Sequence, residues 1–234
     1  MELVLNKKPQ NSTILEGFPG VGLVGTITTE FLTKHLECEE IGYALVDNVS
    51  PMVAIHGEEL VKPITIYHNK KYNLVIIHSI LPGSKAEWEI AKTIIDLSKK
   101  VKSKRIISIE GVPNLTESSK HVYYYAHKKT TGKSLEKAKI KPLKEGMIVG
   151  VTAALMSKCK DDFISLFAES QTKMPDSRAS AKIIQSLDQF LGFGLDYKPL
   201  LKQAEQFEKK LKSMVQQGKE ATAHQKAQEV NYVG

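Results

Sequence analysis

Gly20, Gly22 and Gly25 stand at the spacing G-x-G-x-x-G, and Asp47 closes the next extended run. In a dinucleotide-binding unit this pattern has a physical purpose. Glycines permit a tight turn, the backbone approaches a pyrophosphate at a helix amino terminus, and the later carboxylate holds the ribose. Pro19 argues against that chemistry, because it fixes φ and removes an amide donor just before the first glycine. Glu16 and Gly17 also interrupt the apolar run that should lead into the turn. The other reading is a glycine turn that lets a helix and a strand pack closely.

The remaining chemistry-bearing residues are sparse. Gly132-Lys133-Ser134 ends like a phosphate-binding loop, but His127 occupies the position its first glycine requires. No G-x-S-x-G nucleophile elbow is present. None of the seven histidines pairs with another at the i, i+4 spacing of a helical zinc site. His78, at the end of an apolar strand, is the best single general-base candidate, with a hydrogen-bonded structural histidine as the simpler reading. Asp161-Asp162 suits a cation or, better, a solvated turn. Cys38 and Cys159 have no partner at metal spacing and read as reduced, partly buried thiols. We expect no catalytic residue, no metal and no cofactor.

Alternating strands and helices must carry these residues. Thr13 to Phe18 is extended, Gly22 to Leu36 is helical with Val24, Ile27 and Phe31 inward, and Ile41 to Val46 is extended again. Asn73 to Ser79 leads to a helix from Ser84 to Val101, opened by the capping box Ser84-Lys85-Ala86-Glu87, and then to a strand at Arg105 to Ile109. The apolar runs Leu74 to Ile77 and Met147 to Val151 predict strands covered on both faces. Phe163 to Ala168 predicts another strand, and Asp176 to Leu191 an amphipathic helix. The pattern is that of an α/β fold, a three-layer sandwich with a mostly parallel sheet.

Charge is concentrated in one segment. Lys128 to Lys144 holds seven lysines and Glu136, a net of plus six against plus seven for the chain, and reads as a solvated insertion near 128–144. Only Arg105 and Arg178 are arginines, so nucleic acid is not the expected partner. An acidic protein surface remains an alternative for this patch. HVYYYA alternates like a strand, with at least one tyrosine inward.

The end of the chain has a different character. Leu200, Ala204, Phe207, Leu211 and Met214 recur at alternating spacings of four and three, a stripe for packing on the chain's own body or on a second copy. Gly218 marks a helix stop, and Lys219 to Glu229 offers no apolar face. Tyr232, with Val230, Val233 and Gly234 around it, sits where folding does not explain an aromatic, and insertion into a partner's pocket does. We divide the chain into a domain at 1–195, a helix at 196–218 and a flexible tail at 219–234. The absence of a long apolar run predicts a cytoplasmic protein without a membrane span.

Several segments in order resemble one family. GFPGVGLVG at Gly17 to Gly25, EGVPN at Glu110 to Asn114, GMIVGVTAALM at Gly146 to Met156 and LFAESQTKMPDSRASAKIIQSL at Leu166 to Leu187, followed by LDYKPLLKQAEQFEKKL, look like the proteasome assembly chaperones, in particular their archaeal members. The resemblance implies a Rossmann-like or phosphorylase-like fold and homo-oligomerisation. It implies ATP-independent, non-enzymatic assistance or activation at the α subunits of the 20S proteasome, and a glycine motif that is an element of the fold. It also implies a terminal hydrophobic-tyrosine-any residue motif. Here Tyr232 stands third from the end and Asn231 is not hydrophobic, so the match is loose and gate opening is the more doubtful of the two expected roles.

Overall fold

The computed structural model describes residues 1–47, 49, 53–56, 58–81, 85–113, 121–170, 175–195 and 202. The first half of the chain forms β1 (Glu2–Leu5), β2 (Thr13–Gly17), α1 (Val24–His35), β3 (Glu39–Leu45), β4 (Ala54–His56), β5 (Glu59–Val61), β6 (Ile64–Asn69) and β7 (Leu74–Ser79). The second half forms α2 (Glu87–Lys100), β8 (Arg105–Pro113), β9 (Val122–Ala126), α3 (Lys129–Lys137), β10 (Lys141–Pro142), α4 (Gly150–Lys158), β11 (Phe163–Ser170) and α5 (Ser177–Leu191). Among the described residues, nine strands make one sheet in the order β1-β3-β6-β7-β2-β8-β11-β9-β10, while β4 and β5 pair only with each other.

The centre of the sheet, β7-β2-β8-β11, is parallel, and its flanks turn antiparallel at β6 and β9. Alternation along the central strands explains why both faces are covered. Ile14, Val75, Ile77, Ile106 and Phe163 face one way, toward Ile90, Ile94 and Leu97 of α2 and Val151 and Leu155 of α4. Leu15, Leu74, Ile76, Ile107 and Ile164 face the other way, toward Val24, Phe31 and Leu32 of α1 and Ile183, Ile184 and Leu187 of α5. Helices therefore pack on both sides of a twisted sheet, the three-layer sandwich the periodicity predicts.

Local chemistry sets the helix ends. Asp176 caps α5 by accepting a hydrogen bond from the Ala179 N–H at 3.0 Å, and Gly192 ends it at φ +73. For α2 the expectation fails: the helix starts at Glu87 with Ala86 at its N-cap and no side-chain cap, and Ser84 lies outside the described residues. The run Met147 to Val151 is not a strand either. Met147 is 90% exposed, Val149 is the N-cap of α4, and only Val151 turns inward. Four apolar residues and a glycine are too short a run for periodicity to separate a strand from a helix approach.

The lysine-rich segment is built into the sheet margin. It forms α3 and the short strand β10, with Thr131, Gly132, Leu135 and Ile140 buried and all seven lysines exposed. Leu200, Ala204, Phe207, Leu211, Met214, Val230, Tyr232, Val233 and Gly234 lie outside the described residues.

Candidate functional site

The carboxyl ends of β2 and β8 meet the glycine turn, and close approach of backbones explains its composition. A Cβ on Gly17 would sit 2.3 Å from the Gly25 carbonyl oxygen, and one on Gly111 would sit 1.9 Å from that of Val21. Only glycine lets α1 and the Val21 turn lie this close to β2 and β8. Gly22 adopts φ +63, and Leu23 follows at φ +50 before α1 begins. The turn is tied down from the far side as well, by the Asp176 N–H donating to the Gly22 carbonyl at 2.8 Å.

Asp47 cannot serve this turn. It follows β3, and β6 and β7 lie between β3 and β2, a lateral offset of about 14 Å at ordinary strand spacing. Its carboxylate is 69% exposed and pairs with the Met1 ammonium at 2.9 Å. The arrangement expected of a ribose-binding carboxylate, on the strand beside the turn, is not built.

Instead two carboxylates of the chain itself converge here. Glu16 on β2 stands in register with Ser108 on β8, and Glu110 follows two residues later on the same face. Ser108 Oγ lies 2.9 Å from Thr152 Oγ1 of α4, and Thr152 donates to Glu110 Oε2 at 3.0 Å. The nearby backbone N–H groups of Gly111 and Val21 act on the Glu110 carboxylate in the lowering direction. Glu16 is fully buried, is held by Ser108, and keeps Oε1 without a partner. Burial pushes Glu16 up to about 8 and Glu110 up to about 7, against the lowering effect of these donors.

Counting hydrogens decides how this chain of oxygens is wired. With both carboxylates ionised, the Ser108 hydroxyl is needed by Glu16 and the Thr152 hydroxyl by Glu110, and no proton is left for the Ser108–Thr152 contact. A proton on Glu16 completes the line: Glu16 donates to Ser108, Ser108 to Thr152, and Thr152 to Glu110. When Glu110 is ionised, the negative charge of the pair then rests on its carboxylate, against the cost of burial.

The other residues of chemical interest are engaged structurally. His78 is buried, with Nδ1 2.9 Å from Thr29 Oγ1 and Nε2 3.3 Å from Glu30 Oε2, and burial lowers its pKa. Asp162 is not in a solvated turn; it is buried, accepts from Thr131 at 2.9 Å and pairs with Arg105 at 3.2 Å. Among the described residues no group of three or more His, Cys, Asp or Glu side chains is placed to hold a metal. Tyr124 turns inward and donates to Glu136 at 3.1 Å, while Tyr125 stays at the surface. Both cysteines are free. Two features escape sequence reasoning: the facing carboxylates, and the β4–β5 hairpin, whose opposed Ile55 and Leu60 are 77% and 61% exposed.

Fold and site thus define an α/β sandwich with a parallel centre and a glycine turn closed by its own carboxylate. The PAC2 family model matches residues 14–215, and the chain belongs to that family. The crystal structure of PbaA from Pyrococcus furiosus, an archaeal homolog of proteasome-assembly chaperone, shares 33% identity with this chain. It matches with a TM-score of 0.82 over 94% of this chain and 99% of its own. PbaB of the same organism, an archaeal proteasome activator, matches in fold with a TM-score of 0.75 over 91% and 98%, at 20% identity. An uncharacterised protein of Methanocaldococcus jannaschii is 28% identical over 211 residues, 89% of this chain and 87% of its own. The chain is thereby homologous to PbaA, itself an archaeal homolog of proteasome-assembly chaperone. No helix among the described residues is long and apolar enough to cross a membrane.

Proposed function

We propose that this protein is a non-enzymatic, ATP-independent chaperone or activator that binds the 20S proteasome core particle, or its assembly intermediates, at the α subunits. The observation that carries this reading is the likeness to PbaA, one third identical over nearly the whole length of both chains. The folded body acts as a homo-oligomeric holder, joined through Leu200, Ala204, Phe207, Leu211 and Met214, and the segment Val230, Tyr232, Val233 and Gly234 is what it presents. A single short segment binds weakly, whereas several copies at a fixed separation gain effective concentration when their spacing suits the receiving pockets. Work of this kind takes place in the cytoplasm.

Deleting Val230 to Gly234 and measuring co-sedimentation with 20S particles, together with peptide hydrolysis, tests the reading. Binding should fall at least tenfold; undiminished binding would remove the segment from the mechanism. The competing reading, a nucleotide-dependent enzyme at Gly20 to Gly25, calls for saturable stabilisation by NAD or ATP. The distance of Asp47 from the turn and the carboxylate within it both weigh against that outcome.

A further inference from the structure

Alternation along β9 sorts its aromatic residues between two sides. Tyr124 turns inward, and α3 and α5 pack on its side of the strand. His121, Tyr123, Tyr125 and His127 share the opposite side, spaced about 7 Å apart along the strand. His121 is exposed, Tyr125 is 38% exposed, and Tyr123 and His127 are half-buried. Their rings meet edge to face, His121 with Tyr123 at 6.0 Å and Tyr125 with His127 at 5.5 Å. Glu169 stands at the His121 end of the row, accepting from the His121 N–H at 2.9 Å and the Tyr123 hydroxyl at 3.4 Å, so the end free of acid is that of Tyr125 and His127. Rings two residues apart on an open sheet side are a platform on which successive bases stack.

Charge points the same way. Lys128 directly follows the row, and β10, the last strand of the sheet, sets Lys141 in register with Tyr123 and so on the same side. Of the seven exposed lysines from Lys128 to Lys144, none pairs with a carboxylate among the described residues, whereas Lys7, Lys34, Lys62 and Lys99 elsewhere do. Glu136, the acid within that segment, accepts from the Tyr124 hydroxyl at 3.1 Å. The margin therefore carries its net of plus six without internal neutralisation, the complement of a chain of phosphates.

We propose that the β9–β10 margin binds single-stranded nucleic acid without regard to sequence, its bases stacked on Tyr125 and the rings beside it and its phosphates held by the lysines of 128–144. The scarcity of arginine removes the usual reader of guanine edges and leaves this mode untouched, because lysine meets phosphate as a point charge and a ring face accepts any base. Neither group selects the 2′-hydroxyl, so RNA and DNA are bound alike. The surface is separate from the segment proposed to meet the proteasome, and the inference does not depend on that reading.

Fluorescence anisotropy of the full-length protein with labelled oligouridylate or oligothymidylate of about fifteen nucleotides tests the proposal. Binding should saturate at low salt and weaken with added salt, the slope of log K against log salt being about −0.7 per phosphate engaged. Tyr125→Ala should weaken binding at least about fivefold with that slope unchanged, and Tyr125→Phe, which keeps the ring, should bind as wild type does. Lys128→Gln combined with Lys141→Gln should instead flatten the slope. Absence of saturable binding, an unchanged affinity in Tyr125→Ala, or an equal loss in Tyr125→Phe overturns the proposal. Equal binding of polyglutamate of the same length also overturns it, by showing that the lysines serve an acidic protein partner.

Discussion

Replacing Glu16 by glutamine should remove a large part of the pH dependence of stability. The side chain is fully buried, its neighbour Glu110 adds repulsion, and burial raises its pKa from the ordinary 4.5 to about 8. Between these values the unfolded chain has released the proton that the folded chain still holds, so stability falls as pH rises through that window and levels off above it. One proton corresponds to about 1.4 kcal/mol per pH unit, which sets an upper limit of roughly 4 kcal/mol lost between pH 5 and pH 8. At 2–4 °C per kcal/mol for a chain of this size, that upper limit corresponds to a drop in melting temperature of about 8–16 °C over the same range. Glutamine mimics the protonated acid, since its amide donates to Ser108 where the carboxylic proton did. Urea unfolding of wild type and Glu16→Gln from pH 5 to 8.5 reads the effect as a widening gap, with the variant the more stable at high pH. A gap that stays constant with pH would refute the assignment of the shared proton to Glu16.

Three further outcomes follow from the same geometry. Gly17→Ala forces a Cβ to within 2.3 Å of the Gly25 carbonyl oxygen, so α1 must move off β2 and stability should fall by more than about 2 kcal/mol in denaturant titration. His78, with its pKa lowered by burial, should stay neutral at pH values where a free imidazole is half protonated. Its contribution to stability is therefore present above the ordinary 6.5 and is lost as pH falls through the depressed value, and its ring resonances should titrate below that midpoint. Asp162→Ala leaves Arg105 and Thr131 without their partner and should cost about 1–3 kcal/mol by thermal unfolding, with Asp162→Asn intermediate.

Legibility followed the length and purity of each pattern. β7 and β11 are apolar on both faces and α5 carries a full stripe with Asp176 before it and Gly192 after it, so the centre of the fold could be read from residue types alone. β1, β4 and β5 are only three or four residues long and escape any periodicity argument. In α3 a single buried Leu135 stands among lysines, and the charge conceals the packing of Thr131 and Ile140 beside it. The carboxylate pair was hidden for another reason. Glu16 and Glu110 are each a lone acid in an apolar strand, and only the register of β2 against β8 shows that Ser108 lies between them.

The glycine fingerprint also depended on topology for its meaning. Its spacing specifies a turn in which a helix can approach a strand closely, and the Gly17–Gly25 contact realises that turn here. Dinucleotide binding needs two further conditions that spacing cannot express: an acidic residue on the strand beside the turn, and unclaimed N–H groups within it. In this chain the adjacent strands are β7 and β8, which places Asp47 on the far side of two other strands, and the Glu110 carboxylate already stands against Gly20 in the turn. Both conditions are set by strand order. A chain that retains the turn while filling it internally keeps the packing advantage of the glycines and loses the room for a ligand, which fits a body whose proposed work lies in binding another protein.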